Sequence, residues 1–150
     1  MQLRHQSGLE TLGGRSIAPA VALAALGVWA IVVPYLGPEL SLRLDVSSQL
    51  EFVDHVVPGT VAVLSAVLLF SVLRRGGDAS SGWWLVAAGA AFLAGVWMVS
   101  THVPLLEDAS RGAADWGPTI LHNSSGLPIG LLSLWLLFVA LRRGPGAPRP

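Results

Sequence analysis

The chain has 150 residues, 53% hydrophobic and 12% charged, about half the charged fraction of a soluble domain. Nine arginines, with no lysine, balance nine acidic residues, so there is no net positive field to draw nucleic acid, which is not expected as a partner. The lack of cysteine excludes disulfides, thiolate metal sites, iron–sulfur ligation and a cysteine nucleophile.

Four apolar stretches follow one another: Ile17 to Leu36, Val56 to Leu73, Trp83 to Leu106, and a fourth from about Pro118 to Leu141. Each is close to the roughly 20 residues that cross a hydrocarbon layer of about 30 Å as a helix. Backbone in lipid must satisfy its own hydrogen bonds, and without strict alternation these runs become helices rather than barrel strands. The first is expected to be a retained helix and not a cleaved leader, since its apolar run exceeds a leader's and the small-residue pattern Ala18-Pro19-Ala20 stands at its beginning. The expected fold is an all-α membrane protein with four transmembrane helices.

Arginine placement sets the expected orientation. Arg4, Arg15, Arg74, Arg75, Arg142, Arg143 and Arg149 fall on one side, and only Arg43 and Arg111 on the other. The positive-inside rule then makes both termini and the Arg74–Ser81 connection cytoplasmic, in a multi-pass protein of the cell (inner) membrane. Glu39, Asp45, Glu51, Asp54, Glu107, Asp108 and Asp115 make the outer face acidic. Trp83, Trp84 and Trp116 stand where amphipathic rings favour the headgroup level.

In the first outer loop, Leu40, Leu42, Leu44 and Val46 alternate as in a short extended segment, and Ser48-Gln49-Leu50-Glu51 reads as a capping box. In the second, Asp115 is the expected N-cap, with Pro118 in the first turn. The Pro- and Gly-rich tail, 144–150, is expected to be disordered.

The chain also matches itself at an offset of 68 residues. Leu64 to Gly76 lies over Leu132 to Gly144 with nine identities in thirteen positions, and Gly27-Val28-Trp29 lies over Gly95-Val96-Trp97. Two blocks sharing one offset indicate a tandem duplication of a two-helix hairpin. Residues 17–76 form the first repeat and 83–143 the second, joined by 77–82 and preceded by a cytoplasmic segment, 1–16. Both copies enter the membrane in the same direction, so they are expected to be related by an axis along the membrane normal. Ala87, Ala91 and Gly95, and Ala20, Ala24 and Gly27, form small-residue stripes suited to close helix packing within the bundle.

The phrase Leu26-Gly27-Val28-Trp29-Ala30-Ile31-Val32-Val33-Pro34-Tyr35-Leu36, followed by His55-Val56-Val57-Pro58-Gly59-Thr60, resembles the SPW repeat family of small prokaryotic membrane proteins. Val33-Pro34-Tyr35 stands where that family carries Ser-Pro-Trp, and Thr101-His102-Val103-Pro104 stands in the second copy. The resemblance implies paired helices and no established activity.

Counted from the inner anchors, His55 lies 19 residues from Arg74, His102 lies 19 from Trp83 and His122 lies 20 from Arg142, or about 28–30 Å each along a helix. Imidazoles at one depth on three helices suit Zn²⁺ or Cu²⁺, with Asp54 or Glu107 as further oxygen donors, and two of them suit a single haem. The competing expectation is that they are interfacial polar residues hydrogen-bonded to loops or water. Asn123, Ser124 and Ser125 precede Pro128, whose ring clashes one turn back, so the fourth helix should kink or restart near Ser125 or Gly126 and offer a polar pocket. No Asp, Glu, Lys or Arg lies in the hydrocarbon part of any span, which argues against proton-coupled transport. Ser124 and His122, two apart on a helix, do not face one another for triad catalysis.

The expected protein is non-enzymatic, with no catalytic residue and no cofactor. It is an accessory or scaffold subunit contacting lipid and other membrane proteins, or copies of itself. The alternative is a metal- or haem-binding membrane redox protein using His55, His102 and His122.

Overall fold

The computed structural model describes residues 17–36 and 52–143. The alternating segment at Leu40–Val46, the capping box at Ser48–Glu51, the segment 1–16 and the tail 144–150 lie outside the described residues. Six α-helices are present among them: α1 (Ala18–Val32), α2 (Val57–Arg74), α3 (Gly82–Thr101), α4 (Val103–Ser110), α5 (Trp116–His122) and α6 (Gly126–Arg142). A 3₁₀ turn, Val33–Leu36, extends α1, and a π-helical turn, Phe52–Val56, leads into α2. Joined in this way they make four apolar helical spans long enough to cross a membrane: Ala18–Leu36, Phe52–Arg74, Gly82–Ser110 and Trp116–Arg142.

Proline punctuates these spans. Pro19, Pro58 and Pro104 stand in the first turns of α1, α2 and α4, where the missing N–H is not needed. Pro104 cannot continue the helix through the preceding turn, so the third span breaks at His102 instead of running unbroken to Leu106. Pro128 acts likewise: α5 stops at His122 and α6 restarts at Gly126, in agreement with the expected break. Asp115 is the N-cap of α5, as expected, but its side chain makes no capping hydrogen bond.

The end of α2 is closed by glycine. Gly76, at φ +73°, donates to the Leu73 carbonyl at 3.1 Å, and Gly77 donates to the Val72 carbonyl at 2.9 Å, a Schellman closure. Gly112, at φ +75°, closes α4 in the same way. Gly76→Ala is expected to cost about 1 kcal/mol, because a Cβ disfavours the left-handed conformation while nothing else crowds the position. Thermal melting in detergent, followed by helical circular dichroism, measures it.

Helix α1 packs on α2 and α6, and α3 packs on the same two, so the long helices close a ring. The centre is built from small residues, Ala20, Ala30, Ala62, Ala66, Ala87, Ala88 and Ala91, around Leu23, Leu69, Met98, Ile129 and Leu136. Larger apolar side chains such as Leu64, Leu93, Leu131, Phe138 and Leu141 point outward. This inside-out distribution suits a lipid solvent: hydrocarbon gives no drive to bury leucine, and small side chains let backbones meet.

They meet at glycine. A Cβ on Gly27 would lie 2.8 Å from the Gly59 carbonyl oxygen, and one on Gly95 would lie 2.5 Å from the Gly130 nitrogen and 3.0 Å from the Gly126 oxygen. Both stripes expected to serve close packing are thereby used inside the bundle. Trp83 is 64% exposed, as a headgroup-level ring would be, but Trp84 is 6% exposed and its indole N–H donates to the Leu136 carbonyl at 3.3 Å. The placement of Trp84 in the headgroup belt is thus corrected: helical spacing turns it toward α6, and its buried N–H needs an acceptor.

Candidate metal centre

The three histidines come together because each sits on an inward stripe at a helix irregularity. His55 lies in the π-helical turn, four residues before Gly59, and His122 ends α5, four residues before Gly126. Both histidines thus sit just before a glycine that faces the neighbouring helix, across a π-helical turn in one span and a helix break in the other. On α3 the sequence Ala91, Gly95, Met98, His102 keeps the 4-3-4 spacing of one buried stripe, with His102 at its end. Single-turn π segments change the azimuth of what precedes them and are frequent at functional sites.

The imidazoles are almost wholly buried, at 0% exposed for His55, 4% for His102 and 3% for His122. His55 Nε2 lies 2.8 Å from His102 Nε2 and 3.0 Å from His122 Nε2. Ring centroids are 4.4–5.0 Å apart, with His55 edge-on to both neighbours. One ligand atom from each residue lies within 4.8 Å of the others.

A backbone carbonyl holds one ring from behind. His102 Nδ1 lies 2.6 Å from the Met98 carbonyl oxygen and 3.1 Å from Thr101 Oγ1. Since a carbonyl only accepts, His102 Nδ1 carries the proton, and in the neutral ring Nε2 is a bare lone pair.

The carboxylates expected as extra donors do not join the set. Asp54 is half-buried and close enough to His102 to interact electrostatically, while Glu107 is exposed and pairs with Arg111 at 3.0 Å. An exposed pair of that kind is worth little stability.

The polar turn between α5 and α6 is largely occupied by internal contacts. Asn123 Nδ2 donates to the Thr119 carbonyl at 2.9 Å, and Ser124 Oγ accepts from the Trp29 indole at 2.8 Å, tying the first span to the fourth. Ser125 and Thr119, both fully buried, have hydroxyls with no hydrogen-bond partner among the described residues. Sequence reasoning missed the Trp29 contact, and no periodic signal marks it.

Neither a curated protein nor a solved structure matches the chain. A family model described as NrsF, negative regulator of sigma F, matches residues 10–149. This overturns the resemblance to the SPW repeat family drawn from the phrases around Val33-Pro34-Tyr35 and Thr101-His102-Val103-Pro104. Those phrases reflect the constraints on any tight membrane hairpin: glycine at the crossing, an aromatic beside it and proline at the helix end. The match spans nearly the whole chain and both hairpins, and on that ground the protein belongs to the NrsF family of negative regulators of sigma F.

Proposed function

We propose that the chain is a multi-pass regulator of the cell (inner) membrane that restrains a sigma factor by holding a protein partner at its arginine-bearing end. The observation that carries this reading is the family match over residues 10–149 on a chain with four apolar spans. A sigma factor works in the cytoplasm, and the positive-inside rule puts Arg74, Arg75, Arg142 and Arg143, the short connection after α2 and both termini on that side. The role is that of an accessory or scaffold subunit without chemistry of its own, and the partner is the sigma factor or a protein acting on it.

A duplicated hairpin supports this architecture. Gly27 and Gly95, 68 residues apart, both mark close backbone crossings, and Ser65 and Ser133 are both buried. Arg74 lies 5.8 Å over the Phe70 ring and Arg142 lies 4.0 Å over the Phe138 ring, again 68 apart. Paired guanidinium–ring stacks of this kind anchor two helix ends at one interface.

Deleting the protein is expected to raise transcription from the sigma-dependent promoter above the parent level. Restoring the full chain should repress it again. Unchanged reporter output in the deletion strain, or termini reachable by impermeant reagents in intact cells, would refute the proposal.

A further inference from the structure

We propose that His55, His102 and His122 form a binding site for one divalent transition-metal ion of the zinc or copper class. The argument begins with hydrogen-bond accounting. An imidazole nitrogen carries either one proton or one in-plane lone pair. His55 Nε2 nevertheless faces two other Nε2 atoms, at 2.8 and 3.0 Å. The His102 proton is held on the far side of its ring by the Met98 carbonyl at 2.6 Å, which aims a lone pair at His55. A single proton on His55 serves one neighbour well and the other poorly. A cation among the three nitrogens accepts all three lone pairs at once.

Two of the three nitrogen separations are close to what such an ion requires, and the third lies within 4.8 Å, so the rings must draw in around it. With Zn–N bonds of about 2.0–2.1 Å, tetrahedral ligation places nitrogens about 3.3 Å apart, a few tenths of an ångström beyond the two contacts at 2.8 and 3.0 Å. A backbone carbonyl behind the ligating ring, as Met98 provides for His102, is the usual way of fixing tautomer and orientation at a metal.

Donor chemistry narrows the ion. Three neutral nitrogens without a carboxylate select borderline metals such as Zn²⁺ and Cu²⁺ over Mg²⁺ or Ca²⁺, which require oxygen. Three protein ligands leave a coordination position for water or another small ligand. A haem fits less well: its two axial nitrogens must stand on opposite faces of a macrocycle, whereas here three rings crowd together with centroids 4.4–5.0 Å apart. His55, His102 and His122 come from the second, third and fourth spans, so one ion would tie three helices together at the end away from Arg74, Arg75, Arg142 and Arg143.

The test uses the full chain in mild detergent, stripped with chelator and titrated with Co²⁺ as a spectroscopic probe. The expected result is saturation at one ion per chain, with visible ligand-field bands that Zn²⁺ abolishes. His55→Ala, His102→Ala and His122→Ala should each weaken binding by more than the roughly 10- to 100-fold that follows loss of a ligand's supporting hydrogen bond. His5→Ala should bind like the parent. Should any variant misfold, Cu²⁺ electron paramagnetic resonance on the unmodified protein counts coordinating nitrogens directly. No saturable ion, binding that survives all three substitutions, or a copper spectrum without imidazole coupling would overturn the proposal. These outcomes are independent of whether the chain restrains a sigma factor.

Discussion

Replacing Gly95 with leucine is expected to push α3 off α6 and to lower the stability of the bundle by about 3 kcal/mol, the upper end of what overpacking costs. The physical basis is that the obstructing atoms are backbone. A Cβ at this position meets the Gly130 nitrogen at 2.5 Å, the Gly130 Cα at 2.7 Å and the Gly126 carbonyl oxygen at 3.0 Å. No rotamer change relieves such a contact, so the helices must separate, and separation loses the dispersion and close backbone approach that hold helices together in lipid. Gly89 on the same helix supplies the control, since a Cβ there meets nothing within 4 Å. Gly89→Leu should leave the melting curve unchanged or raise it slightly through helix propensity. Detergent unfolding followed by circular dichroism compares the two, and equal effects would mean that the crossing at Gly95 is not where the spans are joined.

Zn²⁺ is expected to stabilise the chain by about 2.7 kcal/mol when the free ion stands a hundredfold above its dissociation constant, the linkage expected for one site on the folded state. The linkage would apply to the whole bundle because the proposed ligands belong to three spans, so unfolding or splaying any of them would release the ion. His55→Ala should abolish the shift, since His55 is the ring that contacts both others. Glu107→Ala should preserve it, because Glu107 is exposed and engaged with Arg111. Melts with Zn²⁺ and with chelator distinguish the cases. A shift that persists in His55→Ala would place the stabilising ion elsewhere on the protein.

Membership of the NrsF family connects these properties to regulation. In the proposed arrangement the histidines and the arginine-bearing helix ends lie at opposite ends of the same spans. The second span carries His55 in its first turn and Arg74 in its last, and the fourth carries His122 and Arg142. An ion at one end and a protein partner at the other would therefore engage the same spans.

Much of the site is legible in residue spacing. Counting from arginine and tryptophan anchors places His55, His102 and His122 at one depth, and Pro128 announces the break before α6. The stripe Ala87, Ala91, Gly95 is visible in the same way. Extended by seven residues it reaches His102, at the end of the same stripe. The family is not legible from short phrases, because glycine, tryptophan and proline recur wherever two membrane helices cross closely. Trp84 is misplaced for a related reason: its position near a helix end suggests the interface, while its azimuth, set by packing on α6, buries it.

Residue order is enough to give the number of apolar spans, their approximate lengths, the break before Pro128 and how far along the second, third and fourth spans a histidine stands. These quantities follow from hydropathy and a fixed rise per residue, which do not depend on neighbouring helices. That the three imidazoles converge follows from the packing of the helices, not from their sequence positions. A helix fixes height from residue number, but the direction in which a side chain points across a bundle depends on how the helices pack and where they break. The π-helical turn at Phe52–Val56, the junction at His102 and the restart at Gly126 set those directions.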